Sequence, residues 1–97
     1  MDLSPNQFYR RTPGLIERWE ERRSEAVAML ALAVKHGDLE GQQLDELAFV
    51  IHKIAGTAAL FGEKPLGLCA AELERALRLD VPAEERLRLA RQMLAAA

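Results

Sequence analysis

The chain has 97 residues, of which 49% are hydrophobic and 29% are charged. This length is enough for a single hydrophobic core, so we expect one domain over residues 1–97. The composition is that of a folded protein and is rich in Leu, Ala, Glu and Arg, which favour helices. A formal charge of −2 provides no strong positive field, so we expect no nucleic-acid partner.

The cysteine content and the apolar segments indicate where the protein works. Cys69 is the single cysteine and cannot form an internal disulfide, and the N-terminus lacks the pattern of a signal peptide. The most apolar stretch, residues 47–62, is too short to span a bilayer comfortably and contains His52 and Lys53. We therefore expect a cytoplasmic protein without a membrane segment, and a monomer is the simplest expectation.

The N-terminal third contains two helix starts. Ser4 and Thr12 are each followed by proline, the residue favoured at the first helical position. The first start predicts a short extra helix that ends near Arg10. The second predicts a long helix over residues 13–36 that ends at Gly37, because apolar residues recur there at helical spacing. The predicted buried positions are Ile16, Trp19, Ala26, Leu30 and Ala33.

The second long helix has the most regular pattern in the chain. It is predicted to start between Gly41 and Gln43 and to end at Phe61, before Gly62. Its apolar residues alternate in spacing between three and four, as in a helix that packs against neighbouring helices. They are Leu44, Leu47, Ile51, Ile54, Ala58 and Phe61.

Two further helices are predicted in the C-terminal third. One begins at Lys64 or Pro65 and ends at Asp80, and the other follows Pro82. Their predicted buried residues are Leu66, Cys69, Leu73 and Ala76 or Leu77 in the first, and Leu87, Ala90 and Leu94 in the second. Short connections between long amphipathic helices favour antiparallel neighbours. The predicted fold is all-α, an up-down antiparallel four-helix bundle with a short N-terminal extra helix.

His52 lies on the second long helix, about 100° around the axis from the apolar residue Ile51, so its ring should face solvent. Its neighbours on that strip are the small residues Ala48, Ala55, Gly56 and Ala59, with the larger Phe49 beside them. A glycine within a helix costs about 1 kcal/mol relative to alanine. Gly56 therefore indicates either that another surface approaches closely or that two helices pack there. A neutral imidazole on such a surface can act as a nucleophile.

The segment HKIAGTAALFGEKPLGLCAAELERAL, which begins at His52, resembles the motif of histidine phosphotransfer (HPt) domains. In that motif the histidine is followed by an aliphatic residue, two glycines among small residues, and then Leu-Cys and Leu-Glu on the next helix. The matching positions here are Ile54, Gly56, Ala58, Ala59, Gly62, Leu68, Cys69, Leu73 and Glu74. The resemblance implies that His52 accepts a phosphoryl group from a receiver-domain aspartate and passes it to another receiver.

The same resemblance implies the partners and the cofactors. The partners would be response-regulator receiver domains, among which the receiver of a hybrid histidine kinase is one candidate. Mg²⁺ would be bound by the receiver, and this chain would bind no cofactor. We expect a phosphoryl carrier without autokinase activity, because no nucleotide-binding motif is present in the sequence.

One position departs from the family pattern. Many HPt domains carry lysine three residues after the histidine, where this chain has Ala55, and a lysine stands at Lys53 instead. Lys53 is thus a candidate for supporting the phosphoryl group. A basic residue of an adjacent helix, with Arg22 or Arg23 as examples, is the alternative.

Other functions are compatible with parts of the pattern. The surface formed by Ala48, Phe49, Ala55, Gly56 and Ala59 could serve a helical interaction module that binds a partner without phosphorylation. A dimeric histidine-kinase helix pair fits less well, because the residues after His52 differ from those usual in such kinases. A metal site built from His36, His52 and Cys69 is not expected, since no two of them share one helical turn.

Overall fold

The computed structural model describes residues 14–37 and 42–97, and these residues form α-helices and turns without any strand. The helices are α1 (Leu15–His36), α2 (Gln42–Thr57), α3 (Lys64–Arg78) and α4 (Ala83–Ala96), with a 3₁₀ turn over Ala58–Phe61. The all-α prediction is confirmed for this part of the chain. The predicted extra helix before Arg10 lies outside the described residues. None of the described helices is long and apolar enough to cross a membrane.

Two glycines end helical segments as predicted. Gly37 has a left-handed φ of 71°, and its N–H donates to the carbonyls of Ala33 and Val34 in the last turn of α1. Gly62 has a φ of 76° and closes the 3₁₀ turn. Glycine reaches this backbone region without the steric penalty that a side chain would add.

Each helix contacts the next one in the chain, and α4 also contacts α1. α2 and α3 approach closely at Gly67, which is buried near the start of α3. A Cβ atom added to Gly67 would lie 3.3 Å from the Cβ of Ala58 and 3.6 Å from the carbonyl oxygen of Ala55. Glycine at this position therefore sets how tightly α3 packs against the end of α2.

Most of the apolar residues predicted to be buried in α1, α2 and α3 belong to the core. Its largest fully buried side chains are Leu30, Ile51, Ile54, Leu66, Leu73 and Met93. Two expectations were wrong. Ile16 is 41% exposed, and α4 buries Leu89, Ala90 and Met93, leaving Leu87 and Leu94 half-buried. Leucines occur on both sides of α4, so its sequence does not define which side packs inward.

The second predicted helix also ends differently. Regular α-helix stops at Thr57, and residues 58–61 form the 3₁₀ turn instead of continuing to Phe61 as α-helix. A 3₁₀ turn has about three residues per turn and so changes the direction of the last side chains relative to an α-helix. It presents Phe61 to Trp19 of α1, where the rings stack with centroids 4.9 Å apart and planes 6° apart.

Glu63 completes this contact between α1 and the start of α3. The indole Nε1–H of Trp19 donates to Oε2 of Glu63 at 2.7 Å, and Arg23 donates to Oε1 at 2.8 Å. Trp19 is only 5% exposed, so Glu63 satisfies a buried donor that water would reach poorly. This polar contact holds α1 against the start of α3.

Replacing Glu63 with alanine should lower the free energy of unfolding by about 1–3 kcal/mol, because the buried indole N–H would lose its acceptor. Urea unfolding followed by fluorescence measures this directly, since Trp19 is the single tryptophan. Glu72→Ala, at an exposed position of α3, is the matched control. Equal losses in the two variants would contradict a structural role for Glu63.

Candidate functional site

The candidate site is centred on His52, in the middle of α2. Its neighbours Ile51 and Ile54 are fully buried, which turns the histidine outward, as the apolar spacing predicts. The His52 side chain is 63% exposed. The ring is therefore accessible to a partner while the helix that carries it is held by the core.

Glu74 of α3 fixes the orientation of the imidazole. Nδ1 of His52 lies 2.9 Å from Oε2 of Glu74. An ionised carboxylate can only accept hydrogen bonds, so Nδ1 is the nitrogen that carries the proton. In the neutral ring the other nitrogen, Nε2, then has a free lone pair. In this tautomer Nε2 is the ring nitrogen that can act as a nucleophile.

Glu74 also binds Arg78, one turn later on α3. Nε of Arg78 donates to the same Oε2 at 3.0 Å, as expected for oppositely charged residues four positions apart on a helix. The Glu74 side chain is 17% exposed, whereas that of Arg78 is 58% exposed. A largely covered carboxylate thus links the imidazole to an accessible guanidinium.

Lys53 occupies a different part of the surface. Its ammonium group lies 4.3 Å from the centroid of the Phe49 ring, within cation–π distance. Phe49 is itself 58% exposed. The residue named from the sequence as possible phosphoryl support is thus in contact with an aromatic ring, whereas Arg78 shares an acceptor with His52.

The small residues around His52 do not all lie at the surface. Gly56 and Ala59 are exposed and Ala55 is half-buried. A Cβ atom added to Gly56 would meet no atom of another described element within 4 Å, so the alternative that Gly56 packs against another of the described helices is wrong. Gly67 is the glycine that serves close packing.

Ala48 corrects the expected docking surface. It is only 6% exposed and belongs to the core, although the sequence placed it on the exposed strip beside His52. The strip lies at the edge of the contact between α2 and α3, and at position 48 the neighbouring elements cover it. Ala48 therefore offers almost no area to a partner.

Sequence reasoning did not identify Glu74 and Arg78 as neighbours of His52. Glu74 was visible as the acidic residue of the Leu-Glu pair in the motif, but the pattern does not say which side chain it contacts. The two arginines named from the sequence are not seen in contact with His52. Arg23 binds Glu63 at the start of α3, and Arg22 is exposed on α1 without a hydrogen bond to a side chain of the described residues.

The remaining candidates carry other roles. Cys69 is half-buried and packs against the core, and His36 is exposed in the last turn of α1. Within residues 14–37 and 42–97, no three His, Cys, Asp or Glu side chains are grouped so that they could hold a metal ion. The chemistry available at the site is that of the imidazole and its charged neighbours.

Comparison with known families shows which family the chain belongs to. A family model described as Hpt domain matches residues 14–97, which include all four helices and the whole candidate site. No curated protein and no solved structure matches the chain. Hpt domains carry phosphoryl groups in two-component signalling. The match spans most of the 97 residues, so the chain belongs to the Hpt domain family.

Proposed function

We propose that this protein is a phosphorelay carrier in which His52 accepts a phosphoryl group from a receiver-domain aspartate and passes it to a second receiver. One observation carries the proposal: His52 is exposed, and its Nδ1 is hydrogen-bonded to Glu74. In the neutral ring that contact places the proton on Nδ1, so Nε2 has a free lone pair and is directed away from the carboxylate. Such a nitrogen can attack phosphorus without first losing a proton.

The transfer step follows from this tautomer. The Nε2 lone pair forms the new bond to phosphorus, while the bond from phosphorus to the aspartate oxygen breaks and its electron pair stays on the aspartate carboxylate. The ring keeps its Nδ1 proton and becomes a positively charged phosphoimidazole, which Glu74 stabilises across the hydrogen bond. In the reverse direction this positive ring is a good leaving group, so the same contact serves acceptance and donation.

The receiver would supply what this chain lacks. Its aspartate and Mg²⁺ would position and neutralise the phosphoryl group during transfer, and the chain itself is proposed to bind no cofactor and to have no autokinase activity. We propose that the partner docks over Phe49, Ala55, Gly56 and Ala59. A transient complex of this kind buries on the order of 1,200 Å² in total.

We further propose the setting in which the carrier works. Residues 1–97 would form one monomeric HPt domain in the cytoplasm, with a receiver of a hybrid histidine kinase as one possible donor. An up-down antiparallel order of the helices is supported by their short connections and by the contact of α4 with α1. The lone Cys69 is consistent with a reducing compartment.

Replacing His52 with glutamine should abolish phosphoryl acceptance. The wild-type chain, mixed with Mg²⁺ and a panel of phosphorylated receivers, should take up label that is acid-labile and alkali-stable. His36→Gln is the matched control, because His36 is the second of the two histidines and is exposed on α1. Absence of label in the wild type with every receiver, or equal labelling of His52→Gln, would rule out the proposal and favour a phosphorylation-independent interaction module.

Replacing Glu74 with glutamine should slow acceptance by about tenfold to a hundredfold, because a charge-assisted hydrogen bond contributes about 1.5–3 kcal/mol. Nitrogen NMR of the histidine ring should show a larger fraction of the tautomer protonated at Nε2. Glu72→Gln, two residues away on an exposed part of α3, should change neither property. An unchanged tautomer ratio in Glu74→Gln would contradict the assigned role.

Replacing Gly56 with glutamate should slow transfer by about tenfold or more, because a large charged side chain would stand where the receiver has to approach. The fold should remain intact, since position 56 is open, and the melting temperature should be unchanged or higher because glycine is a poor helix former. Circular dichroism and the labelling assay separate these effects. A marked loss of stability would mean that Gly56 is a packing residue after all.

A further inference from the structure

The phosphoryl group on His52 would bring two negative charges to a site that lacks the lysine often found three residues after the histidine in related domains. Position 55, where related domains often carry lysine, is Ala55, and it lies close to the backbone of Gly67. Lys53 contacts the ring of Phe49. Neither residue accounts for the neutralisation of a phosphoryl group on Nε2.

We propose that Arg78 of α3 is the residue of this chain that neutralises the phosphoryl group on His52. The inference rests on the proposed function and adds to it a residue that the family pattern in the sequence did not assign. Its basis is one shared atom: Oε2 of Glu74 accepts hydrogen bonds from both His52 and Arg78, at 2.9 and 3.0 Å.

This shared acceptor limits the separation of the two side chains. Nδ1 of His52 and Nε of Arg78 can be no farther apart than the sum of their distances to Oε2. Nε2 lies across the ring from Nδ1, so Arg78 would reach a phosphoryl group there through its terminal Nη groups, which extend beyond Nε. The guanidinium has five N–H donors in a planar fork, and the hydrogen bond to Glu74 occupies only the one on Nε. The terminal Nη groups make no hydrogen bond to the described residues, and the Arg78 side chain is 58% exposed. They are therefore available to phosphoryl oxygens.

The charges at the site support the same assignment. Before transfer, Glu74 and Arg78 form a neutral pair beside the imidazole, which attacks phosphorus in its neutral form. After transfer, the phosphoryl group adds two negative charges and the ring one positive charge, so the site with Arg78 carries a single net negative charge. Without Arg78 it would carry two. Guanidinium groups are well suited to phosphoryl oxygens because they can donate two parallel hydrogen bonds.

The transfer equilibrium tests the proposal. Phosphorylated receiver and wild-type protein are mixed with Mg²⁺, and the ratio of labelled His52 to labelled receiver is measured once it is constant. Arg78→Ala should shift this equilibrium about tenfold toward the receiver, as expected for loss of one cation near a partly exposed anion. Arg78→Lys should recover most of the shift, and raised salt should reduce the difference between wild type and Arg78→Ala.

Arg75 provides a matched control on the same helix. It is exposed and lines a shallow groove between α3 and α4, together with Leu79 and Arg88, so it faces away from His52. Arg75→Ala removes the same charge from α3 and should leave the transfer equilibrium unchanged. A shift as large in Arg75→Ala as in Arg78→Ala would show that only the overall charge matters, and would overturn the proposal.

A double mutant separates a direct effect of Arg78 from an effect through Glu74. The amide oxygen introduced by Glu74→Gln can still accept the hydrogen bond from Nε of Arg78, so the guanidinium stays beside the ring. If Arg78 binds the phosphoryl group, Arg78→Ala should therefore still shift the equilibrium in a Glu74→Gln background. If the shift disappears there, Arg78 only positions Glu74 and the proposal is wrong. Labelling of His52 in the wild type distinguishes these results from failure of the proposed function, in which no protein would be labelled.

Discussion

The close approach of α2 and α3 at Gly67 is the constraint on which the candidate site depends. Without a side chain at position 67, α3 lies against Ala58 and the backbone of Ala55. Glu74 follows seven residues later, about two helical turns, and so lies on the same side of α3. The packing of a glycine thereby brings a carboxylate from one helix within hydrogen-bond distance of an imidazole on the other.

One side of α2 packs in the core, and the opposite side carries the exposed His52. Leu47, Ile51, Ile54 and Ala58 are buried and hold the helix in the core, while His52 and Gly56 face outward. Gly56 and Gly67 have different physical functions. Gly56 leaves open space beside His52, whereas Gly67 allows α3 to pack closely against Ala58 and Ala55.

Glu74 connects the electrostatics of the site. As acceptor for Nδ1–H in the neutral ring it leaves the lone pair on Nε2, and as partner of Arg78 it holds a guanidinium close to the ring. The proposed carrier chemistry needs little more from this chain, since phosphoryl transfer depends mainly on position and charge. The contact of Trp19, Phe61 and Glu63 has a separate role elsewhere in the fold, where it joins α1 to the start of α3.

The sequence by itself determined the helical class, the ends of α1 and of the 3₁₀ turn at Gly37 and Gly62, and the outward direction of His52. These features depend on local propensity and on the period of apolar residues, which a single helix expresses. Only the tertiary structure decided that Ala48 is buried, that α4 packs through Leu89 and Met93, and that Glu74 and Arg78 lie beside His52. These outcomes depend on the rotation and distance of neighbouring helices, and the pattern within one helix does not define either quantity.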